Sequence, residues 1–452
     1  MFDWIKSNRI LLILALVSSI FYASLAYDLE RSDFIKLVSL YGALFFIAYK
    51  IIKITNDSFW VLAGIGIVFR LISIAAIPNL SQDFYRFLWD GRLLVQGINP
   101  YLITPEFYMQ SGQNIVSQAQ ELYSGMGALN ASHYSNYPPI NQIFFAITAL
   151  FAGKSIVGSV IVLKIIMVLA DVGVLYFGKK LLEKLSLPVN NIFWYFLNPF
   201  IVIELSGNLH FEGVMLFFVV WSLYLLHKGK SLWAGVLFAI SISVKLIPLL
   251  LLPLFYNYFV NKGLFSKGFW RLKKFYWIII GTVLLTFSPF LSSEFISNFT
   301  ATIGLWFQNF EFNASVYYII RWIGYQTIGW NIIETVGKVL PIVIVLIILT
   351  LSFFRKNKST QQLITAMLFA VSSYLLLSTT VHPWYIATPL LLSVFTSYKF
   401  PVVWSLVVVF SYSAYGIDGF SEKLYLVGLE YILVIGFAAW EILRKQEKLI
   451  PV

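Results

Sequence analysis

Apolar stretches of roughly 15 to 25 residues recur along this chain from near residue 10 to near residue 442, each about long enough to cross a hydrocarbon core at ~20 residues per crossing. Inside lipid every backbone N–H and C=O must be satisfied within the protein, so runs of this kind fold as helices. Only 12% of the 452 residues are charged, against about 25% in a soluble domain. The expectation is an all-α chain: a polytopic transmembrane helical bundle of about 13–14 spans, forming one integral-membrane domain over 1–452. The spans are expected near 10–27, 34–54, 59–78, 156–178, 191–206, 210–227, 231–244, 247–260, 275–291, 335–354, 361–380, 384–398, 401–416 and 424–442. Lys6 and Arg9 precede the first run, and Ser24-Leu25-Ala26 resembles a weak cleavage site. An uncleaved anchor fits better, because a second span follows at once.

The net charge of +11 does not call for nucleic acid, because its positives gather in short loops, the orientation signal of a membrane protein. With the N-terminus in the cytoplasm, Lys50 and Lys53, Lys179 to Lys184, Lys228 and Lys230, Lys262 to Lys274, Arg355 to Lys358, Lys399 and Arg444 to Lys448 all fall inside. The opposite loops hold acids such as Asp28, Glu30, Asp83, Glu106, Glu121, Glu294, Glu311, Asp418 and Glu422. This agreement requires that Ile140–Gly153, too short to cross comfortably, be a re-entrant or surface helix. The expected location is a plasma (inner) membrane, multi-pass, with both termini cytoplasmic. The absence of cysteine excludes disulfides, thiolate metal sites and thiol catalysis. Two extracytoplasmic loops are long, 79–155 and 292–334, and both are expected to carry short interfacial helices. Long ordered loops on a membrane scaffold tend to carry function.

The richest segment is Ser81-Gln82-Asp83-Phe84-Tyr85-Arg86-Phe87-Leu88-Trp89-Asp90-Gly91. Ionisable groups at a membrane boundary are functional candidates by default. As a helix, it puts Asp83, Arg86 and Asp90 on one face. Asp83 suits a general base that takes a proton from an acceptor hydroxyl. Asp90 and Arg86 suit substrate binding or, equally, an ion pair along the helix, and Gly91 suggests a turn. Tyr137 stands before Pro138 and Pro139 and can anchor a helix start or frame a cavity. Glu204, His210 and Glu212 lie between two expected spans. They can bind a sugar, or hold a divalent metal, although without tight ligand spacing; solvated loop charge is the plain alternative. Lys245 interrupts a long apolar run before Pro248, where a lipid phosphate would lie; snorkelling to the interface is its structural alternative. His382-Pro383-Trp384-Tyr385 opens a span, with His382 able to hydrogen-bond phosphate or sugar and Trp384 able to stack on a sugar ring. An aromatic belt with a helix-starting proline would look the same. Lys164 and Asp171 suggest a structural pair within one span, and Arg70 a snorkelling arginine.

Taken in order, Asp83–Gly91, Gly97-Ile98-Asn99-Pro100-Tyr101, Tyr137-Pro138-Pro139, Asn198-Pro199 with Gly207-Asn208-Leu209-His210-Phe211-Glu212, Lys245-Leu246-Ile247-Pro248 and His382-Pro383-Trp384-Tyr385 resemble the GT-C-fold integral-membrane glycosyltransferases. The resemblance is to the polyprenol-phosphate-mannose-dependent mannosyltransferases in particular. It implies an inverting transfer of a hexose, mannose by analogy, from a polyprenyl-phosphate sugar donor to a lipid or glycan hydroxyl on the extracytoplasmic side. It assigns the catalytic base to Asp83 and substrate contacts to Arg86, Asp90, Tyr137, Glu204, His210, Glu212, Lys245, His382, Trp384 and Tyr385. No cofactor is required by this reading; a divalent metal is compatible with it. Two departures stand out: two spans precede the one that delivers Asp83, and Gly207 and His210 are separated where relatives pair them. The alternatives from other classes are a flippase or permease for a lipid-linked sugar, and an oligosaccharide polymerase or ligase. Polar groups crowded at one interface, without an internal repeat, favour the transferase.

Overall fold

A computed structural model describes residues 8–55, 58–112, 115–260, 266–308, 310–417 and 419–447. Four charged residues of the expected sidedness, Lys6, Lys262, Asp418 and Lys448, lie outside the described residues. The chain is an all-α polytopic bundle, and among the described residues its only sheet is the two-residue pairing of Tyr415–Gly416 with Gly419–Phe420.

Among the described residues six helices are long and apolar enough to cross a membrane: Arg9–Tyr27, Phe34–Ile54, Ile156–Lys184, Ile333–Phe353, Thr360–Leu377 and Leu424–Arg444. Counting two sharply bent pairs brings the number to eight. One joins Ile201–Gly207 to Glu212–His227 at 106°, and the other joins Lys267–Phe290 to Ser293–Leu305 at 110°. The remaining expected spans are shorter apolar helices, such as Phe59–Ile72, Ser231–Val244, Ile247–Phe259 and Pro383–Val394. The breaks have local causes. Pro248 and Pro253 tighten Ile247–Phe255 into a 3₁₀ segment, since proline removes a donor and crowds the preceding turn. Pro383 and Pro401 sit in first helical turns, where their fixed φ is an asset. Large apolar side chains such as Leu169, Leu285, Ile342 and Ile432 are exposed, as expected of helices that face lipid.

The interior charges are paired differently from the expectation. Asp171 is bound not by Lys164 but by Arg70, at 2.7 Å, in a pair wholly removed from solvent. Arg70 therefore does not snorkel: it donates to Gly66 O and Phe196 O as well, and Ser206 completes Asp171 at 2.9 Å. Lys164 instead donates to Ser73 O at 2.6 Å and Ala76 O at 2.7 Å. It thus serves carbonyls beyond the end of Phe59–Ile72, of which Ser73 O also accepts from Ala76 N, where a cation also suits the helix dipole.

Residues 79–155 carry four helices, Asp83–Val95, Pro105–Gln110, Ala119–Ala131 and Pro139–Ala152. The first and last lie so close that a Cβ on Gly91 would meet Phe145 O at 2.2 Å. Gly91 thus serves helix–helix approach, not a turn. Phe87 stacks on Phe145 at 4.6 Å across the same seam. Beyond the bent pair, Glu311 binds Arg321, Tyr317 and Asn331. Phe312 bridges to Thr380 through the bonds Phe312 N–Thr379 O (3.1 Å) and Val381 N–Phe312 O (2.8 Å). That bridge fixes the strand-like approach to His382.

Candidate functional site

Asp83 opens its helix, where the positive end of the dipole favours a carboxylate. The segment that delivers it is tied down on both sides. Asn79 donates to Leu25 O at 2.8 Å and Leu29 O at 3.0 Å, and Leu80 N donates to Asn208 Oδ1 at 3.0 Å. Three sequence-distant pieces are thereby stapled together: the loop after the first helix, the Asp83 segment and the Gly207–Asn208 turn. The Asp83 carboxyl is pushed above the usual carboxylate range, chiefly by burial. Lys245, Arg31 and a hydrogen bond from the Tyr137 hydroxyl pull it partly back. Tyr137 is itself oriented by its backbone, whose carbonyl accepts from Tyr101 Oη at 2.5 Å.

The bend after residue 200 forms the second wall. Ile201–Gly207 is wound with i→i+5 bonds, a rare geometry that recurs at functional sites. Its last turn closes through Asn208 N to Ile203 O at 2.9 Å. Leu209 then takes φ +65°, a strained value for a branched residue, and the reversal brings His210 back over Glu204. Glu204 accepts from Tyr412 Oη at 2.7 Å, while its other oxygen stands 3.7 Å from His210 Nε2. Neither of those two facing atoms has a hydrogen-bond partner among the described residues, and both are buried. They are a donor–acceptor set left open, of the kind a ligand hydroxyl completes. The two residues that separate Gly207 from His210, Asn208 and Leu209, therefore do not remove the histidine from the site.

The third wall is an aromatic ladder. His210 stacks on Trp384 at 3.7 Å, and Trp384 on His382 at 4.6 Å. His382 is pushed down to about 3, first by burial and then by the Lys245 and Arg31 cations. It is neutral at physiological pH, a hydrogen-bonding group whose Nδ1 is buried and unpartnered among the described residues. Tyr385 meets the His382 ring edge-on at 5.5 Å. Lys245 stands where Ser231–Val244 stops, in extended backbone. Its ammonium is 3.0 Å from Glu212, with 21% and 0% of the two side chains exposed, and 5.9 Å from the Tyr137 ring centre.

The structure thus brings Asp83, Tyr137, Glu204, His210, Glu212, Lys245, His382, Trp384 and Tyr385 to one cluster. Arg86 and Asp90 lie behind it. They pair at 2.8 Å, both buried. Asp90 also accepts from Ser135 at 2.5 Å and Gln142 at 3.1 Å, and Arg86 donates to Asn130 O and His133 O. This is the ion-pair alternative realised, and the pair also clamps the Asp83 helix to the 130–142 segment in which Tyr137 lies. Sequence patterning did not single out Arg31. It lies over the Tyr415 ring at 3.4 Å, within electrostatic reach of Asp83, Glu204, His210 and His382. The available signal was a lone arginine among Asp28, Glu30 and Asp33 in a loop otherwise acidic. Among the described residues no group of three or more His, Asp or Glu side chains is placed to hold a metal.

Residues 39–261 match the family described as alpha-(1->6)-mannopyranosyltransferase, N-terminal domain. Over 334 residues the chain is 20% identical to alpha-(1->6)-mannopyranosyltransferase A of Mycobacterium tuberculosis, covering 70% of this chain and 61% of that protein. The likeness to mannosyltransferases read from the motifs is thereby supported. The family match covers Asp83, Tyr137, Glu204, His210, Glu212 and Lys245, and stops short of Arg31 on one side and the His382–Tyr385 ladder on the other. The chain spans about three-fifths of the length of the mycobacterial protein.

Proposed function

We propose that this chain is a membrane glycosyltransferase that moves mannose from a polyprenyl-phosphate donor to a hydroxyl of a lipid or glycan acceptor, with inversion, on the extracytoplasmic side. The observation that carries the reading is the placement of Asp83, in a chain similar to mannosyltransferases: a carboxylate with raised proton affinity, touched by Tyr137 and facing Lys245. The Asp83 carboxylate takes the proton of the acceptor hydroxyl as its oxygen bonds the anomeric carbon. The bond from that carbon to the phosphate oxygen breaks, and polyprenyl phosphate departs with one further negative charge. A fixed cation at the place where charge develops lowers the barrier, and Lys245 has that role. The open Glu204–His210 pair meets sugar hydroxyls, Tyr385 offers a ring, and His382 donates or accepts at the sugar or phosphate. Trp384, covered by His210 on one face and His382 on the other, positions these two imidazoles and has no free face to stack on a sugar. Glu212 holds Lys245 in place, and the Arg86–Asp90 pair holds the scaffold.

The test is transfer of radiolabel from polyprenyl-phosphate mannose in membranes that contain wild type or Asp83→Asn, with and without chelator. A glycosidic product made by wild type, lowered about 100- to 10,000-fold in the variant as for loss of a general base, supports the reading. Wild-type activity retained by Asp83→Asn removes Asp83 as the base. Movement of label between leaflets without a new glycosidic bond would favour a transporter instead, and the chelator arm decides metal dependence.

A further inference from the structure

Lys245 is not free. Its ammonium already serves a carboxylate that is wholly buried, and that partner cannot be abandoned without leaving a charge stranded. A phosphate whose charge grows as the donor breaks needs more than a cation already half neutralised. Among the described residues the cluster holds one other. Arg31 stands in the loop between Arg9–Tyr27 and Phe34–Ile54, and among the described residues its guanidinium makes no hydrogen bond or ion pair. Its Nε is buried without a partner. What holds it is a ring face, Tyr415 at 3.4 Å, which leaves the edge of the planar fork, with its N–H groups, directed away from the ring. Two short paths lead from that ring into the site. Tyr415 to Tyr412 is 6.1 Å, and Tyr412 binds Glu204 at 2.7 Å. Tyr415 to Phe312 is 6.2 Å, and Phe312 to His382 is 5.3 Å. The loop is positioned for this. Asn79, four residues before Asp83, grips Leu29 O, and Lys36 bonds Asp28 at 2.7 Å across the turn.

We infer that Arg31 is the second cation for the donor phosphate: an uncommitted, bidentate guanidinium that binds the leaving phosphate alongside the committed Lys245. This rests on the donor reading above and adds the residue that recognises the phosphate. It also gives a role to the two helices on either side of that loop, the first of which lies wholly ahead of the family match that begins at residue 39: they carry Arg31 to the site.

The experiment compares binding of radiolabelled undecaprenyl phosphate and of undecaprenol to the purified full-length protein, for wild type and Arg31→Met, with phosphatidylglycerol as competitor. Wild type is expected to prefer the phosphate. Arg31→Met should lose about tenfold or more of affinity for the phosphate, the size of a hydrogen-bonded charge contact, with undecaprenol unchanged. Arg31→Gln, which keeps a planar polar group beneath Tyr415, replaces it if the methionine variant does not fold. Undiminished preference for the phosphate in the variant overturns the role of Arg31 and leaves the donor reading standing. Displacement by phosphatidylglycerol at equal concentration also overturns it, because Arg31 would then hold a bulk lipid headgroup. A wild type with no preference for phosphate sinks the donor reading, and the inference with it.

Discussion

At the scale of the residue, Asp83 is held against its own solvation. Burial raises its proton affinity more than Lys245, Arg31 and Tyr137 lower it. Because its folded-state pKa lies above the unfolded one, its contribution to stability is fully present below the unfolded value of about 3.9. That contribution is lost as pH rises through the folded value. Asp83→Asn should therefore melt at the same temperature as wild type or higher at pH 7, and lose that advantage below pH ~4, while transfer falls by about 100- to 10,000-fold. A scan of melting temperature against pH checks the first statement; an Asn variant markedly less stable at pH 7 would contradict it. The same reasoning fixes the pH profile. Activity needs the carboxylate, so kcat/KM should rise with pH through a limb above the ordinary range for aspartate. Removing either cation, in Arg31→Met or Lys245→Met, should shift that limb to higher pH. Asp83, Tyr137 and Lys245 were legible from sequence because each is chemically out of place where it stands: a carboxylate, a phenol before two prolines and a lysine in an apolar run. Arg31 was not, because a charged residue in a short polar loop is ordinary, and only the fold reveals that Tyr415 receives it. Arg86 and Asp90 were legible as a pair, and helical spacing alone could not tell a clamp from a ligand set.

At the scale of the element, long apolar runs read directly as helices, and the ends of Arg9–Tyr27 and Phe34–Ile54 fall within a residue of the expectation. The runs placed breaks after residue 206 and at Lys245, where the structure has them, but did not convey the geometry of the breaks. The reversal at 207–212 depends on an i→i+5 turn and on Leu209 at φ +65°, neither of which has a sequence signature without glycine at the left-handed position. Partners of buried charges were equally hidden. Lys164 and Asp171 share one helix and pointed to each other, whereas Arg70, 101 residues from Asp171, is the actual partner. Removing one member of a buried pair strands the other, at a cost of ~3–5 kcal/mol. Asp171→Leu alone should thus destabilise strongly. The double variant Arg70→Met, Asp171→Leu should recover much of the loss, because two matched apolar groups replace two charges. Melting temperatures of the two single variants and the double form the cycle. Additive losses would mean that Arg70 and Asp171 act through other partners, such as Gly66 O, Phe196 O and Ser206.

At the scale of the whole molecule, the catalytic reading depends on sidedness. Asp83 can use a lipid-linked donor in the outer leaflet only if 79–155 lies outside, an assignment expected from lysine and arginine bias provided that the helix at Pro139–Ala152 does not cross. The structure packs this helix along Asp83–Val95 and ties Asn141 to Val244 O at 2.7 Å, as befits a lining of the site. The absence of native cysteine makes the topology directly measurable: single cysteines at exposed Gln120, Lys154 and Lys358 can be labelled in intact cells with a membrane-impermeant maleimide. Gln120→Cys and Lys154→Cys flank the disputed helix and should both react from outside, while Lys358→Cys should react only after the membrane is opened. Labelling of Gln120→Cys without Lys154→Cys would make Pro139–Ala152 a crossing, and every later basic loop would then face outward. Lys245 and His382 could no longer share a compartment with a catalytic Asp83 by this count of spans, yet the fold holds them within one cluster. The labelling result therefore tests the span assignment and the catalytic geometry together, because no single topology satisfies the charge bias and the cluster unless that helix stays on one side.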